Sequence, residues 1–156
     1  MKYLPSAVSW GWQPGTNPYT KRFGPEKAPG ILARHALLQK LTKAFDSGGV
    51  KLLVGTDGLN TGVVPGWSVH DELQELVEAC LSRYHALRAA TANASAFLGS
   101  SPCIGQVRVG CVADLLLLDA NPLSSIGNTR RIAGVMVRGR WLSRQELDRL
   151  LESMGR

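Results

Sequence analysis

Gly55–Thr56–Asp57 closes the apolar run Val50–Val54, and Asp57 is the residue of this chain best placed to do chemistry. A carboxylate just past the end of a short apolar strand stands where parallel α/β barrels keep their reacting groups. There it can grip a cation or carry a proton for a hydrolysis. The competing reading is a loop or cap aspartate. Ser68, eleven residues on, is the expected cap of the next helix, which leaves Asp57 for another role. His70 is the second candidate, a substrate-binding imidazole if the first turn of that helix lies at a barrel mouth. A capped surface histidine is the alternative. His35 and His85 sit in helical stretches with no histidine or carboxylate at i+4, so neither makes a metal pair.

The elements that must hold these groups are legible from periodicity. Residues 31–47 space Leu32, Leu37, Leu38, Leu41 and Phe45 as one helical stripe, with Gly48–Gly49 as the stop. Val50–Val54 follows as a strand. A helix, a glycine link and an apolar strand make half of a βαβ unit. Ser68 with Asp71 reads as a capping box opening a helix to about Cys80, and Ser82 caps the next. Residues 93–98 form a helical turn closing at Gly99. Beyond it the period turns strand-like, with candidates at 106–109, 114–118 and 135–138. Ser143 and Glu146 form another capping box before a last helix through Leu151. The expected organisation is 1–99 as an α/β part, 100–142 as a small β part and 143–156 as a terminal helix. Residues 1–30 hold five of the eight prolines, together with Trp10, Trp12, Tyr19 and Phe23, and read as a long ordered loop.

The chain has 156 residues, 44% hydrophobic and 19% charged, with a formal charge of +6. That composition is globular, and the length falls short of the roughly 250 residues of a whole (β/α)8 barrel. The basic residues are scattered in pairs without interleaved aromatics, which argues against nucleic acid as a partner. No apolar run approaches a membrane span, and Met1–Pro5 has no apolar core of a signal peptide. Cys80, Cys103 and Cys111 are odd in number and form no CxxC pair. They read as reduced thiols in a cytoplasmic protein.

In their order and spacing several stretches resemble the amidohydrolase superfamily, closest to its imidazolonepropionase- and prolidase-like branches. Leu52-Leu53-Val54-Gly55-Thr56-Asp57 is similar to the eighth barrel strand and its aspartate. Gly66-Trp67-Ser68-Val69-His70-Asp71-Glu72-Leu73 is similar to the helix start after it. Ala86–Ala94 is similar to the next helix. Ile104–Gly110, Ala113-Asp114-Leu115 and Asp119 are similar to the return into a flanking β-sandwich, with Val135–Gly139 as its closing strand. The resemblance, over about 35–142, implies an α/β fold: the C-terminal βα units of an incomplete (β/α)8 TIM-type barrel plus part of a β-sandwich. It implies a divalent metal, zinc, in the intact enzyme. Asp57 would be metal ligand and general base and acid, acting on amide or other C–N bonds of a small-molecule substrate.

The departures bear on activity. The family's His-x-His pair is missing, and three histidines cannot replace its ligand set. Cys80 stands where the family has a helix-ending glycine, Arg83 replaces a helix-opening proline, and Cys111 stands for a lysine. Three readings follow. The chain is the C-terminal portion of an amidohydrolase, inactive alone and holding no stoichiometric metal. Or it completes a split barrel with another chain carrying the missing half; a homo-oligomer is the other partner expected. Or it is a non-catalytic α+β module that binds a partner through residues 1–25.

Overall fold

The structure is a computed structural model, and it describes residues 11–13, 16–17, 19, 22–58, 60–99 and 103–154. Much of the aromatic-rich segment 1–30, including Trp10, and the expected boundary at 100–102 lie outside the described residues.

A 3₁₀ turn, Pro25–Lys27, leads into α1, Ala28–Ser47. Pro29 sits in its first turn, where a missing N–H costs nothing. Lys43 of α1 donates to the Cys80 carbonyl at 2.9 Å, and Asp46 meets His85 Nδ1 at 2.6 Å. These two contacts hold α1 against the helices that follow. Its apolar stripe stays uncovered, with Leu37 56% and Phe45 50% exposed.

The segment after α1 joins no β-ladder, so the expected strand at 50–54 is corrected. A strand is defined by its pairing, and the described chain offers this segment no neighbouring strand. The next helix, α2, spans Ser68–Glu78. Here the predicted capping box is also corrected. Trp67 is the N-cap and Ser68 is already helical; the Ser68 hydroxyl accepts from Val64 N–H at 2.9 Å, closing the preceding turn. Asp71 pairs with Arg130 instead of the helix start.

α2 ends in a Schellman motif. Leu81 N–H donates to the Leu76 carbonyl and Cys80 N–H to that of Val77, with Cys80 in the left-handed region at φ 68°. Ser82 caps α3, Arg83–Ala89, by accepting from His85 N–H at 3.1 Å, as expected. α4, Ala92–Leu98, closes at Gly99.

The second half is a three-stranded antiparallel sheet in the order β1 (Leu115–Leu118), β2 (Ile132–Val137), β3 (Arg140–Ser143), followed by α5, Arg144–Met154. β3 was not expected. Arg138 and Gly139, both at positive φ, form a two-residue turn that folds it back on β2 with Val137 opposite Arg140. The Asp114 carboxylate pins that turn by accepting from Arg138 N–H at 2.6 Å. The Ser143–Glu146 capping box of α5 is present in both directions, Ser143 N–H to Glu146 at 2.8 Å and Glu146 N–H to the Ser143 hydroxyl at 3.3 Å.

Residues 106–109 form no strand. They lie in a loop closed by a disulfide between Cys103 and Cys111, with Val107 and Val109 turned to solvent. The expectation of three thiols is therefore corrected, and Cys80 alone is free. Spacing could not expose this bond, because a turn at Arg108–Cys111 brings the two Cα atoms to 4.5 Å.

One core serves both halves. Leu73 of α2, Ala86 of α3 and Ile126, from a 3₁₀ turn at Ile126–Arg130, pack together, flanked by Val54, Leu76, Val77, Leu87 and Ala90. No helix among the described residues is long and apolar enough to cross a membrane.

Candidate functional site

Asp57 owes its position to the unladdered segment Lys51–Thr56. Exposure alternates along it: Leu52, Val54 and Thr56 are half-buried, while Lys51, Leu53 and Gly55 are exposed. This is the period of an extended strand. One face packs on the core through Val54, and the other is open. Asp57 continues the open side and is itself exposed.

The two edges of the segment differ. Leu52 and Val54 turn their backbone groups one way, where the Asn93 amide donates to the Leu52 carbonyl at 3.0 Å and Val54 N–H reaches the Ala89 carbonyl at 3.2 Å. α3 and α4 thus cap one edge. On the other edge Gly55 N–H donates to Glu72 Oε1 at 2.9 Å. The backbone groups of Lys51 and Leu53 have no partner among the described residues.

Asp57 sits at φ 49°, a left-handed conformation that aspartate tolerates better than most residues. Its carbonyl accepts from Asn60 N–H at 3.3 Å, so the chain turns away at once and leaves the carboxylate at the tip. Glu72 is the site residue that the sequence hid. It ties Gly55, two positions before Asp57, to α2, and its other oxygen, Oε2, is buried with no hydrogen-bond partner among the described residues. Nothing in the spacing of Gly55 and Glu72 announces that contact.

His70 lies elsewhere. It is buried in the seam between α2 and the 126–130 turn, with Nδ1 at 3.0 Å from Thr129 Oγ1. The Thr129 hydroxyl gives its proton to the Ile126 carbonyl at 2.8 Å, so the network assigns the Nδ1 proton to His70 as donor. Burial, then the neighbouring Arg130 guanidinium, lower the His70 pKa below 6.5, against the pull of Asp71. A neutral imidazole joining two elements is what the geometry offers. Arg130 covers the same seam, 4.9 Å above the Trp67 ring and paired with Asp71 at 2.5 Å.

A recess of about 180 Å³ at the opposite end of the segment is lined by Asp46, Lys51, His85, Arg88 and Asn93, among others. It adjoins Gly49–Val50, not the Asp57 end. No group of three or more His, Cys, Asp or Glu able to hold a metal occurs among the described residues. Asp57 is one donor, and catalytic zinc usually takes three protein ligands. The described residues therefore do not by themselves fit a metal centre.

The amidohydrolase family model matches residues 32–142, more than half of the chain. The chain belongs to the amidohydrolase family. Similarity to individual amidohydrolases spans both halves. Ochratoxinase from Aspergillus niger is 40% identical over 93 residues, which is 58% of this chain and 19% of that protein. Bottromycin amidohydrolase superposes on 99% of this chain with a TM-score of 0.75 at 32% identity, and the match takes up 34% of its own chain. Phenylurea hydrolase B superposes on 67% of this chain and 26% of its own, with a TM-score of 0.60 at 28% identity. The chain thus spans about a fifth to a third of the amidohydrolases it matches.

Proposed function

We propose that this chain is the carboxyl-terminal part of a hydrolase that cleaves amide or other non-peptide C–N bonds, and that Asp57 is the group it brings to the reacting centre. The architecture proposed is the last one or two βα units of an incomplete barrel with part of a flanking β-sandwich. One observation carries the reading. Asp57 stands exposed at the tip of an extended segment whose packed face is core and whose other face is open, in a chain of this family. Strained non-glycine backbone concentrates at functional sites, and Asp57 is one of three such residues among those described.

The chemistry assigned to Asp57 is proton transfer. Its carboxylate takes a proton from water as the oxygen adds to the carbonyl carbon. It returns that proton to the nitrogen as the C–N bond breaks. Glu72 positions the group by holding Gly55 N–H. A divalent metal in the assembled site would take Asp57 among its ligands, and the described donors alone do not complete its coordination. The chain alone is proposed to be inactive.

A chimera tests this. This chain replaces the matching third of bottromycin amidohydrolase, and that enzyme's own reaction is assayed. Turnover in the chimera that falls about a hundredfold or more in Asp57→Asn, with the fold intact by circular dichroism, supports the reading. An active chimera indifferent to Asp57→Asn overturns it.

A further inference from the structure

The recess at the Gly49–Val50 end of the extended segment carries an unbalanced charge. It has a volume of about 180 Å³, and its polar lining is Lys51, Arg88, Asn93, Asp46 and His85. Asp46 is the carboxylate of that lining, and it is already engaged. Its side chain is 13% exposed; Oδ1 meets His85 Nδ1 at 2.6 Å and Oδ2 lies 3.9 Å from Lys43 Nζ. Lys51 and Arg88 have no ion-pair partner among the described residues. The Arg88 guanidinium lies 5.8 Å from the centre of the Tyr84 ring, a contact that steadies it without neutralising it. The Asn93 amide spends one N–H on the Leu52 carbonyl and keeps a second donor. The carbonyls that end α1, those of Ala44, Phe45 and Asp46, accept from Gly48, Val50 and Gly49, so the negative end of that helix is capped. Two cations therefore share a small hollow whose negative groups are already satisfied.

We propose that this recess binds a phosphate dianion, either the free ion or a phosphate monoester. A phosphate monoester carries about 1.5 to 2 negative charges at pH 7, which matches Lys51 and Arg88 together. A monocarboxylate would balance only one of them. The chemistry of the two side chains suits the same group. The Arg88 guanidinium is a planar fork of donors fitted to two oxygens of one phosphate, and the Lys51 ammonium is a point charge for another. The volume lies below the roughly 300 Å³ at which drug-sized ligand sites begin, so the recess takes a group of a few atoms. Bound there, the anion joins the segment after α1 to α3. Those are the elements that Val54 N–H and the Ala89 carbonyl already join at 3.2 Å. The recess adjoins Gly49–Val50, so the proposal does not depend on the role given to Asp57.

Inorganic phosphate is the first probe, titrated into the chain by calorimetry in about 0.15 M sodium chloride, where exposed charges are screened. Acetate is the singly charged comparison. Saturable binding of one phosphate per chain is expected, with acetate far weaker and the melting temperature rising as phosphate is added. Arg88→Gln and Lys51→Gln should each weaken phosphate binding about tenfold. Both residues are exposed, and circular dichroism checks that each variant stays folded. Arg149→Gln removes the same charge from the exposed side of α5 and should leave the affinity unchanged. Glycerol phosphate distinguishes the two sources of the ligand: tighter binding than inorganic phosphate assigns an ester, weaker binding the free ion. Absence of saturable phosphate binding overturns the proposal. So does acetate bound as tightly as phosphate, or an Arg149→Gln loss equal to that of Arg88→Gln.

Discussion

Asp57 was the first candidate in the sequence and His70 the second, and the structure separates them by what surrounds each. Asp57 follows an extended segment, and local order alone carries it to an exposed tip. His70 is one residue from Asp71 and two from Ser68, yet its environment is set by Thr129, fifty-nine residues away in sequence, and by Arg130 next to it. No local pattern announces a partner at that distance. The buried neutral His70 has a consequence for stability. Its pKa is lowered in the folded state, so below pH 6.5 the unfolded chain takes up the proton first. The contribution of His70 is complete above 6.5 and is lost as pH falls through the lowered folded value. Urea midpoints should therefore drop between pH 7.5 and 5.5, and His70→Gln should flatten that part of the profile. An equal drop in the variant would assign the pH dependence to other groups. Cys80 is a third instructive residue. Its identity against a glycine pattern was readable, and at φ 68° it holds a left-handed backbone that costs a non-glycine residue of order 1 kcal/mol.

Element by element, what was legible is what closes locally. The Ser82 cap, the Gly99 stop and the Ser143–Glu146 box all complete their hydrogen bonds within a few residues. Burial does not help Glu146; the Ser143 backbone and hydroxyl donors lower its pKa. What was missed depends on pairing at a distance or on a tight turn. The 50–54 segment lacks its ladder, and β3 exists only because Arg138 and Gly139 both adopt positive φ. The joint between α3–α4 and the disulfide loop depends on a close approach that only glycine permits. At Gly105, φ is +68°, and a Cβ would lie 2.8 Å from the Thr91 carbonyl oxygen and 2.9 Å from its carbon. Both contacts are backbone, so neither can swing aside. Gly105→Ala should cost about 2 kcal/mol or more, from left-handed strain plus overpacking, read as a lowered urea midpoint at unchanged slope. A variant as stable as the parent would mean that the 103–112 loop is not held against α4.

At the scale of the whole molecule, the described residues show a small core and a large exposed apolar surface. Leu73, Ala86 and Ile126 are the buried heart, while α1 leaves its stripe open. A core of that size makes each covalent restraint count for more. The Cys103–Cys111 bond is that restraint, and it closes a loop of sequence separation 8. Loop-closure entropy for so short a ring is worth about 2–3 kcal/mol. The bond also removes the ground for the cytoplasmic expectation, which was the reading of three reduced thiols; such bonds persist mainly in oxidising compartments. Thiol titration separates the two states. Native oxidised chain should yield one reactive thiol, Cys80, rising to three after reduction. Reduction, or the Cys103→Ser/Cys111→Ser pair, should lower the melting temperature by several degrees, while Cys80→Ser should leave it near the parent's. Three thiols titrating in chain purified without reductant, with no change in melting on adding one, would show that the loop closes by its turn alone. The small core would then have to supply all the stability by itself.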